Sequence, residues 1–244
     1  MTILTQVGGF IWLLTVVVSK RFRLRKRYLF PAMYLICNLI VVPPIASYFG
    51  RTALPVLSDN LKPRQWVYPL MFRNYVSPKL KTMLEDTAET LSEQHIALTY
   101  LDANFPFWNG FPLLPHLSHN DGNKIDLSFQ YRTTDGQWTD KKPTISGYGN
   151  YVTEEGYWSE RCKELGYWQY NFPKYLSFGT IHKLNFDADK TRAVILQLVN
   201  NSATEKVFIE PYLKTELGLT NYSKIKFHGC HAVRHDDHIH VHTK

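Results

Sequence analysis

The most regular alternation of apolar and polar positions lies in "SPKLKTMLEDTAETLSEQH", where Leu80, Met83, Leu84, Ala88 and Leu91 recur at helical spacing and share one face. Ser77 stands at the N-cap position and Pro78 at the first helical position, so this is the clearest helix in the chain. The pattern then shortens to a period of two in "IALTYLDANF", which predicts a strand from Ile96 to about Phe105. An aromatic, proline-rich loop, "PFWNGFPLLP", delivers the chain to His116. From Gln130 to Phe178 regular periodicity is lost and aromatics accumulate, among them Trp138, Tyr148, Tyr151, Tyr157, Trp158, Tyr167, Trp168 and Tyr170. Their plain reading is core for a region poor in aliphatic residues, with stacking on sugar faces as the functional alternative. A second helix is predicted from about Ala188 to Asn200, followed by a strand in "KVFIEP", a short helix around "YLKTELG" and a closing strand in "HDDHIHVHTK". Helices and strands neither alternate strictly nor segregate by halves. The order predicts an α+β domain: a small antiparallel sheet with flanking helices.

The first fifty residues follow another rule. "MTILTQVGGFIWLLTVVV" is apolar but short of the roughly 20 residues that span a bilayer. Tyr28 to Gly50 carries ten Leu, Ile, Val or Phe residues against Asn38, Pro31, Pro43 and Pro44, which favours insertion with a kink or early exit at the proline pair. Between them lies the basic stretch "SKRFRLRKR", which holds a loop on the cytoplasmic side. The expectation is an anchor over residues 1–55 with one or two transmembrane helices, a hairpin if both segments span, and a basic cytoplasmic loop at 19–27; if only the second spans, everything after Gly50 is still delivered outside. A short connector over 51–66 would then lead to a domain spanning 56–244. The domain would sit in the periplasm or cell exterior, tethered to the inner membrane. A cleaved signal peptide is the competing reading, and "PPIAS" is a poor cleavage site for it.

Charge changes the picture only by exclusion. The net charge of +7 suggests nucleic acid, but residues 1–55 hold seven basic residues and no acid. The remainder carries 21 basic residues against 21 acidic ones and has no overall basic character, so no nucleic-acid partner is expected. Of the three cysteines, Cys37 lies in the membrane segment, while Cys162 and Cys230 could pair in an oxidising compartment.

The candidate chemistry lies in two distant segments. In "HLSHNDGNKIDLSF", His119 and Asp126 are separated by a glycine-containing turn, so an imidazole and a carboxylate can meet at one cation. In the closing strand His238 and His240 are two residues apart and project from the same face. Six of the ten histidines fall between His228 and His242. His119, Asp126 and one of the terminal pair would form a His₂Asp site of the kind that binds catalytic zinc and keeps a fourth position for water. The other histidine of the pair would be free to act as a base.

"SHNDGNKID" followed by "HDDHIHV" resembles the signature of the LAS-type zinc peptidases, and within that group the penicillin-insensitive murein endopeptidases. "RAVILQLVNNSATEKVFIEPYLK" also resembles that family's succession of helix, polar turn, strand and helix, so the likeness covers about residues 70–244. The resemblance implies the hedgehog-like fold around one zinc ion, with His119, Asp126 and His240 as ligands. It places His238 at the general-base position and His116 and His235 as further histidines near the metal. Gly122 would let the turn close, and Asp236 and Asp237 could orient an imidazole, although as acids on a strand end they could equally be exposed. Asn123 and Lys124 depart from the family pattern, the insert at about 130–178 has no counterpart, and most of the cysteines familiar in the family are missing. His242 reads as solvent-facing, and His95, His182, His228 and His231 as structural or solvated. Ser118 beside His119 does not make a serine hydrolase, because neighbours on a strand point apart.

Together these readings predict a membrane-anchored zinc metallopeptidase hydrolysing peptidoglycan peptides or a related D-amino-acid-containing peptide. The alternatives are a non-catalytic zinc-containing module that binds cell wall or a partner, and a metal carrier that uses the histidine-rich end alone.

Overall fold

The computed structural model describes residues 1–153 and 156–244; Glu154 and Glu155, inside the aromatic-rich insert, lie outside the described residues. The amino-terminal apolar residues form α1 (Thr2–Thr5), α2 (Gly8–Phe22), α3 (Lys26–Ile36), a π-helical turn at Cys37–Val41, and α4 (Val42–Tyr48). The last three pieces run on as one 23-residue helix, Lys26–Tyr48, long and apolar enough to cross a membrane. Pro43 and Pro44 donate no backbone hydrogen bonds, and the wider π turn just before them absorbs the break without ending the helix. Helix α2 has 15 residues and rises about 22 Å, less than the ~30 Å of a hydrocarbon core. One helix therefore meets the length of a span, and the second span of the expected hairpin is not shown.

This helix does not stand clear of the rest of the chain. After β1 (Thr52–Ala53), β2 (Leu61–Pro63) and α5 (Val67–Leu70), the segment around α5 lies against the middle of the long helix. There Tyr34 Oη donates to the Leu70 carbonyl (2.8 Å) and Asn38 Nδ2 to the Pro69 carbonyl (2.9 Å). Val7, Ile11, Val42 and Ala46 share one buried cluster with Phe72, Phe105, Phe107 and Leu113. The backbone amide of Phe107 donates to Gln6 Oε1 (2.9 Å). The expected connector over 51–66 is thus a correction: β1 pairs with β3 (Tyr75–Val76), and β2 is an edge strand of the main sheet. Short strands between prolines lack the length that periodicity needs to be read.

Helix α6 (Pro78–Ser92) begins where expected, with Ser77 Oγ accepting from the Leu80 amide (3.3 Å), and buries its predicted apolar face. The remaining elements are β4 (Leu98–Tyr100), β5 (Lys124–Ser128), β6 (Tyr131–Arg132), β7 (Trp138–Thr139), α7 (Tyr157–Glu164), a 3₁₀ stretch at Trp168–Leu176, and β8 (Asn185–Phe186). They are followed by α8 (Ala188–Asn200), β9 (Thr204–Phe208), α9 (Pro211–Glu216), β10 (Ile225–Lys226) and β11 (His238–Thr243). The architecture is mixed α+β, as expected. Its main sheet has six strands in the order β10-β9-β11-β5-β4-β2, antiparallel at the centre and parallel at both edges. Strand β4 is shorter than the predicted Ile96–Phe105: its regular pairing ends at Tyr100, and Leu101 and Asp102 keep only irregular backbone bonds to Asp126 as the chain carries Asp102, Ala103 and Asn104 under the site. Helices α6 and α8 share one core with the sheet, through Leu84, Leu91, Ile195 and Leu198 against Leu98, Ile125, Leu127 and Val241. The other face of β5 and β11 carries the polar residues.

Candidate metal centre

Strands β5 and β11 are antiparallel neighbours, and their register sets His240 directly opposite Asp126 and His238 opposite Ser128. One cross-strand pair therefore brings together residues 114 positions apart. His119 reaches them from the turn before β5. Gly122 in that turn has φ +83°, and the Arg51 guanidinium lies where a side chain at this position would stand. Any residue but glycine would push Arg51 away, which explains the motif glycine physically.

The six residues singled out from the sequence, His116, His119, Asp126, His235, His238 and His240, are all buried and all line one cavity of about 350 Å³. Three donor atoms converge. His119 Nε2 is 3.3 Å from Asp126 Oδ1 and 3.1 Å from His240 Nδ1, and His240 Nδ1 is 2.6 Å from Asp126 Oδ1. Ligand atoms around a four-coordinate ion with bonds of about 2.0 to 2.2 Å sit about 3.3 to 3.6 Å apart. Two of the three separations are near that spacing, and the third is a hydrogen bond that ligation would replace.

Each of the three is also oriented from behind. His119 Nδ1 donates to the Ala103 carbonyl (2.8 Å), which leaves the Nε2 lone pair pointing at the other two. Tyr148 Oη donates to Asp126 Oδ2 (2.6 Å). His240 Nε2 lies 2.7 Å from His242 Nε2. Burial, and then the nearby Lys124 charge, hold His242 down to about 4, so it is neutral and can accept from His240 Nε2–H, freeing Nδ1 to bind. His242 is therefore not solvent-facing as expected: it packs its edge against Phe208 and supports His240. Burial alone would raise the Asp126 pKa, but the neighbouring imidazoles outweigh it and hold the carboxyl well below its usual range. These buried residues can hold a metal ion. A second group, His235, His238 and His240, also lies within 4.8 Å. The set containing Asp126 is the better fit because it pairs a carboxylate with two imidazoles that are each fixed from outside.

The remaining histidines of the cavity are arranged for other work. His238 Nδ1 hydrogen-bonds Asp237 Oδ1, and its Nε2 faces Asp126 Oδ1 at 3.7 Å. Burial lowers the His238 pKa, but Asp237 and Asp126 outweigh it and bring it up to about 9. Asp237 itself is fixed by the Gly149 amide, which donates to Oδ2 (2.6 Å). Asp236 is buried against Arg234 Nε (2.6 Å) and Tyr212 Oη (2.8 Å), so neither acid is exposed. His235 is held by its backbone, whose amide donates to Glu210 Oε1 (3.0 Å) and whose carbonyl accepts from the Glu210 amide (3.0 Å). Burial, and then the nearby His238 charge, push the His235 imidazole well below its usual pKa.

Several site residues carried no readable signal in the sequence. His116 Nδ1 donates to Asp102 Oδ2 (2.7 Å), and Asp102 is gripped by Arg73 through Nε (2.5 Å) and Nη2 (2.6 Å). Burial raises the Asp102 pKa, yet Arg73 and His116 bring it down to about 2. Asp102 stands in a segment expected to be strand, and Tyr148 in the aromatic insert. A tyrosine among so many aromatics could not be picked out by pattern. His228 lines the cavity and stacks on Phe208 (4.2 Å between ring centres), while His231 joins it at the rim beside Tyr167. His228 and His231 thus line the cavity but belong to neither candidate ligand group, and His95 and His182 stay away from it. Cys162 and Cys230 form a disulfide, tying the insert to the segment that carries His228 and His231.

No protein-family description matches this chain, and no curated protein matches it. The likeness to LAS-type zinc peptidases rests on the motifs.

Proposed function

We propose that the chain is a membrane-anchored zinc metallopeptidase facing the periplasm or cell exterior, and that it hydrolyses peptide bonds in peptidoglycan peptides or related D-amino-acid-containing peptides. The observation that carries this reading is His238. It is an imidazole beside the ligand set but outside it, with Nδ1 held by a buried carboxylate and Nε2 turned into the cavity. A binding module holding its ion on His119, Asp126 and His240 has no use for a base so placed.

His119, Asp126 and His240 would hold the zinc, which when bound supplies Lewis acidity, acidifying water and polarising a carbonyl. A dication held by Asp126 would offset one of the two carboxylates that raise the His238 pKa, so that this imidazole could serve as the base. His238 Nε2 then accepts the proton from the attacking water, while Asp237 stabilises the imidazolium through Nδ1. The same nitrogen returns the proton to the leaving amine. His116, oriented at Nδ1 by Asp102, presents Nε2 to the cavity, and this buried atom has no hydrogen-bond partner in the described residues. In its doubly protonated form, with Asp102 as counter-charge, it would donate to the scissile carbonyl oxygen as negative charge develops there. His235 completes the buried wall of the cavity.

The test is His238→Ala in the full chain, purified in detergent. One zinc per chain should be retained, and cleavage of cross-linked muropeptides, followed by mass spectrometry, should fall at least about a hundredfold, at the low end of general-base contributions. Wild-type cleavage by this variant would remove the base from the mechanism. A wild-type chain that binds zinc and leaves sacculi intact would favour the binding module.

A further inference from the structure

A second cavity of about 280 Å³ adjoins the metal centre and shares Pro115 and His116 with it as a common wall. Its character is different. Val67, Leu114, Ile145, Leu176 and Phe178 line it. Apart from Gln65, the main polar groups in its wall are paired: Arg73 with Asp102, Tyr68 Oη with the Ser146 carbonyl (2.8 Å), and Tyr148 Oη with Asp126. It offers a polar ligand almost nothing, and the unpartnered His116 Nε2 stands at the boundary with the metal centre.

The far wall of this cavity is formed by Leu4 and Met71. The same two residues line a third, apolar cavity that continues along Phe30, Pro31 and Leu35 of the span-length helix. Around the entrance, Trp66, Val67 and Leu70 expose 58, 48 and 40 % of their surface beside Tyr34 and Asn38, which lie within that helix rather than beyond its end. Three neighbouring cavities, each sharing lining residues with the next, thus lie between the face of the span-length helix and the histidines. A pocket for an amino-acid side chain needs no wall in common with such a helix.

We propose that the apolar cavity beside His116 receives the hydrocarbon chain of an amphiphilic substrate, a peptide headgroup carried on a single lipid chain and drawn laterally from the bilayer. This deepens the peptidase reading and rests on it: the headgroup carbonyl meets His116 and His238 while the chain runs past Leu4 and Met71. Inside a bilayer a chain gains no hydrophobic energy by exchanging lipid for the cavity. The benefit is registration. The tail fixes the headgroup against the site, and filling the cavity misplaces the scissile bond.

The test uses the full chain in phospholipid nanodiscs and a cross-linked muropeptide bearing one palmitoyl chain with a terminal diazirine. Photolabelling, mapped by mass spectrometry, is expected on Leu4, Val67 and Met71, and unlabelled palmitoyl peptide should suppress it. Val67→Trp and Ile145→Trp, both at partly exposed positions, should each cut that labelling about tenfold, as expected for misplacement in a fitted site. Leu57→Trp, elsewhere on the surface, experiences the same partitioning into lipid and should label like wild type. Thermal unfolding confirms that each variant is folded. Labelling spread over the outer faces of the helix, at Leu39 and Ile40, or equal in all variants, would overturn the proposal. So would failure of the palmitoyl peptide to compete, which would leave bulk phospholipid as the occupant. Because labelling needs neither metal nor hydrolysis, it separates failure of this inference from failure of the peptidase reading.

Discussion

Replacing Asp237 by asparagine changes one atom type and tests the geometry of the base. In the native site Oδ2 accepts from the Gly149 amide at 2.6 Å, and Oδ1 accepts from His238 Nδ1, so both carboxylate oxygens are committed. An amide can place its single oxygen on one side only. Turned toward His238, it sets its NH₂ against the Gly149 N–H and strands a buried donor, at a cost of about 1 to 3 kcal/mol. Turned toward Gly149, it satisfies that donor and points NH₂ at His238 Nδ1, which must then be the acceptor. The imidazole proton moves to Nε2, and the base is lost. The free-energy gap corresponds to a preference of about 5- to 150-fold for the wrong tautomer. We expect kcat on cross-linked peptide to fall about ten- to a hundredfold, with KM nearly unchanged and zinc content still one per chain, because no ligand is touched. Long-range ¹⁵N–¹H correlation on histidine-labelled protein reads the tautomer directly. Wild-type kcat together with a proton on Nε2 would refute the role of His238, and an unchanged tautomer would refute the argument from Gly149.

Asp126→Ala should weaken zinc binding at least about tenfold by competition with a chromophoric chelator; unchanged affinity would assign the metal to the histidine-rich segment alone. Lys142 is buried, donates to the Phe129 carbonyl (2.9 Å), and has its pKa lowered by desolvation to about 7. Between that value and 10.5 the unfolded chain holds a proton that the folded chain lacks. Stability therefore rises with pH from about 7 to 10.5, by up to ~1.4 kcal/mol per unit, and this gain is fully lost once the pH has fallen to about 7. Lys142→Met leaves Ser128 Oγ on the Phe129 carbonyl and should flatten that rise in denaturant titrations between pH 7 and 9.5; an unchanged slope would place the effect elsewhere. The disulfide closes a loop of 68 residues, so Cys162→Ser with Cys230→Ser should lower unfolding free energy by about 4 kcal/mol, read by the same titration, and no loss would show that the insert is held by packing alone.

The parts of the site that were legible in the sequence are those fixed by periodicity. His238 and His240 share a face because strands repeat every two residues, and the β5–β11 register then sets His240 against Asp126. Helices α6 and α8 carry caps and apolar faces that declare themselves, and the observed Ala188–Asn200 matches the expected bounds. What escaped was held by tertiary contact. Asp102 supports His116 from a segment whose regular pairing ends after three residues, and Arg73 reaches it from the turn after α5. Tyr148 reaches Asp126 from an insert without period. His242 looked solvated because strand ends usually are; the Phe208 ring covers it. The connector misread over 51–66 shares this cause: its two short strands gain their pairing only from partners elsewhere.

Strand β11 comes later in the chain than every other strand of the main sheet, yet it lies between β9 and β5 near the centre. It supplies His238 and His240 together. A nascent chain carrying everything up to Asp237 has His116, His119 and Asp126 but neither the third ligand nor the base. Assembly of the proposed metal centre therefore waits on β11, which threads between two neighbours made before it.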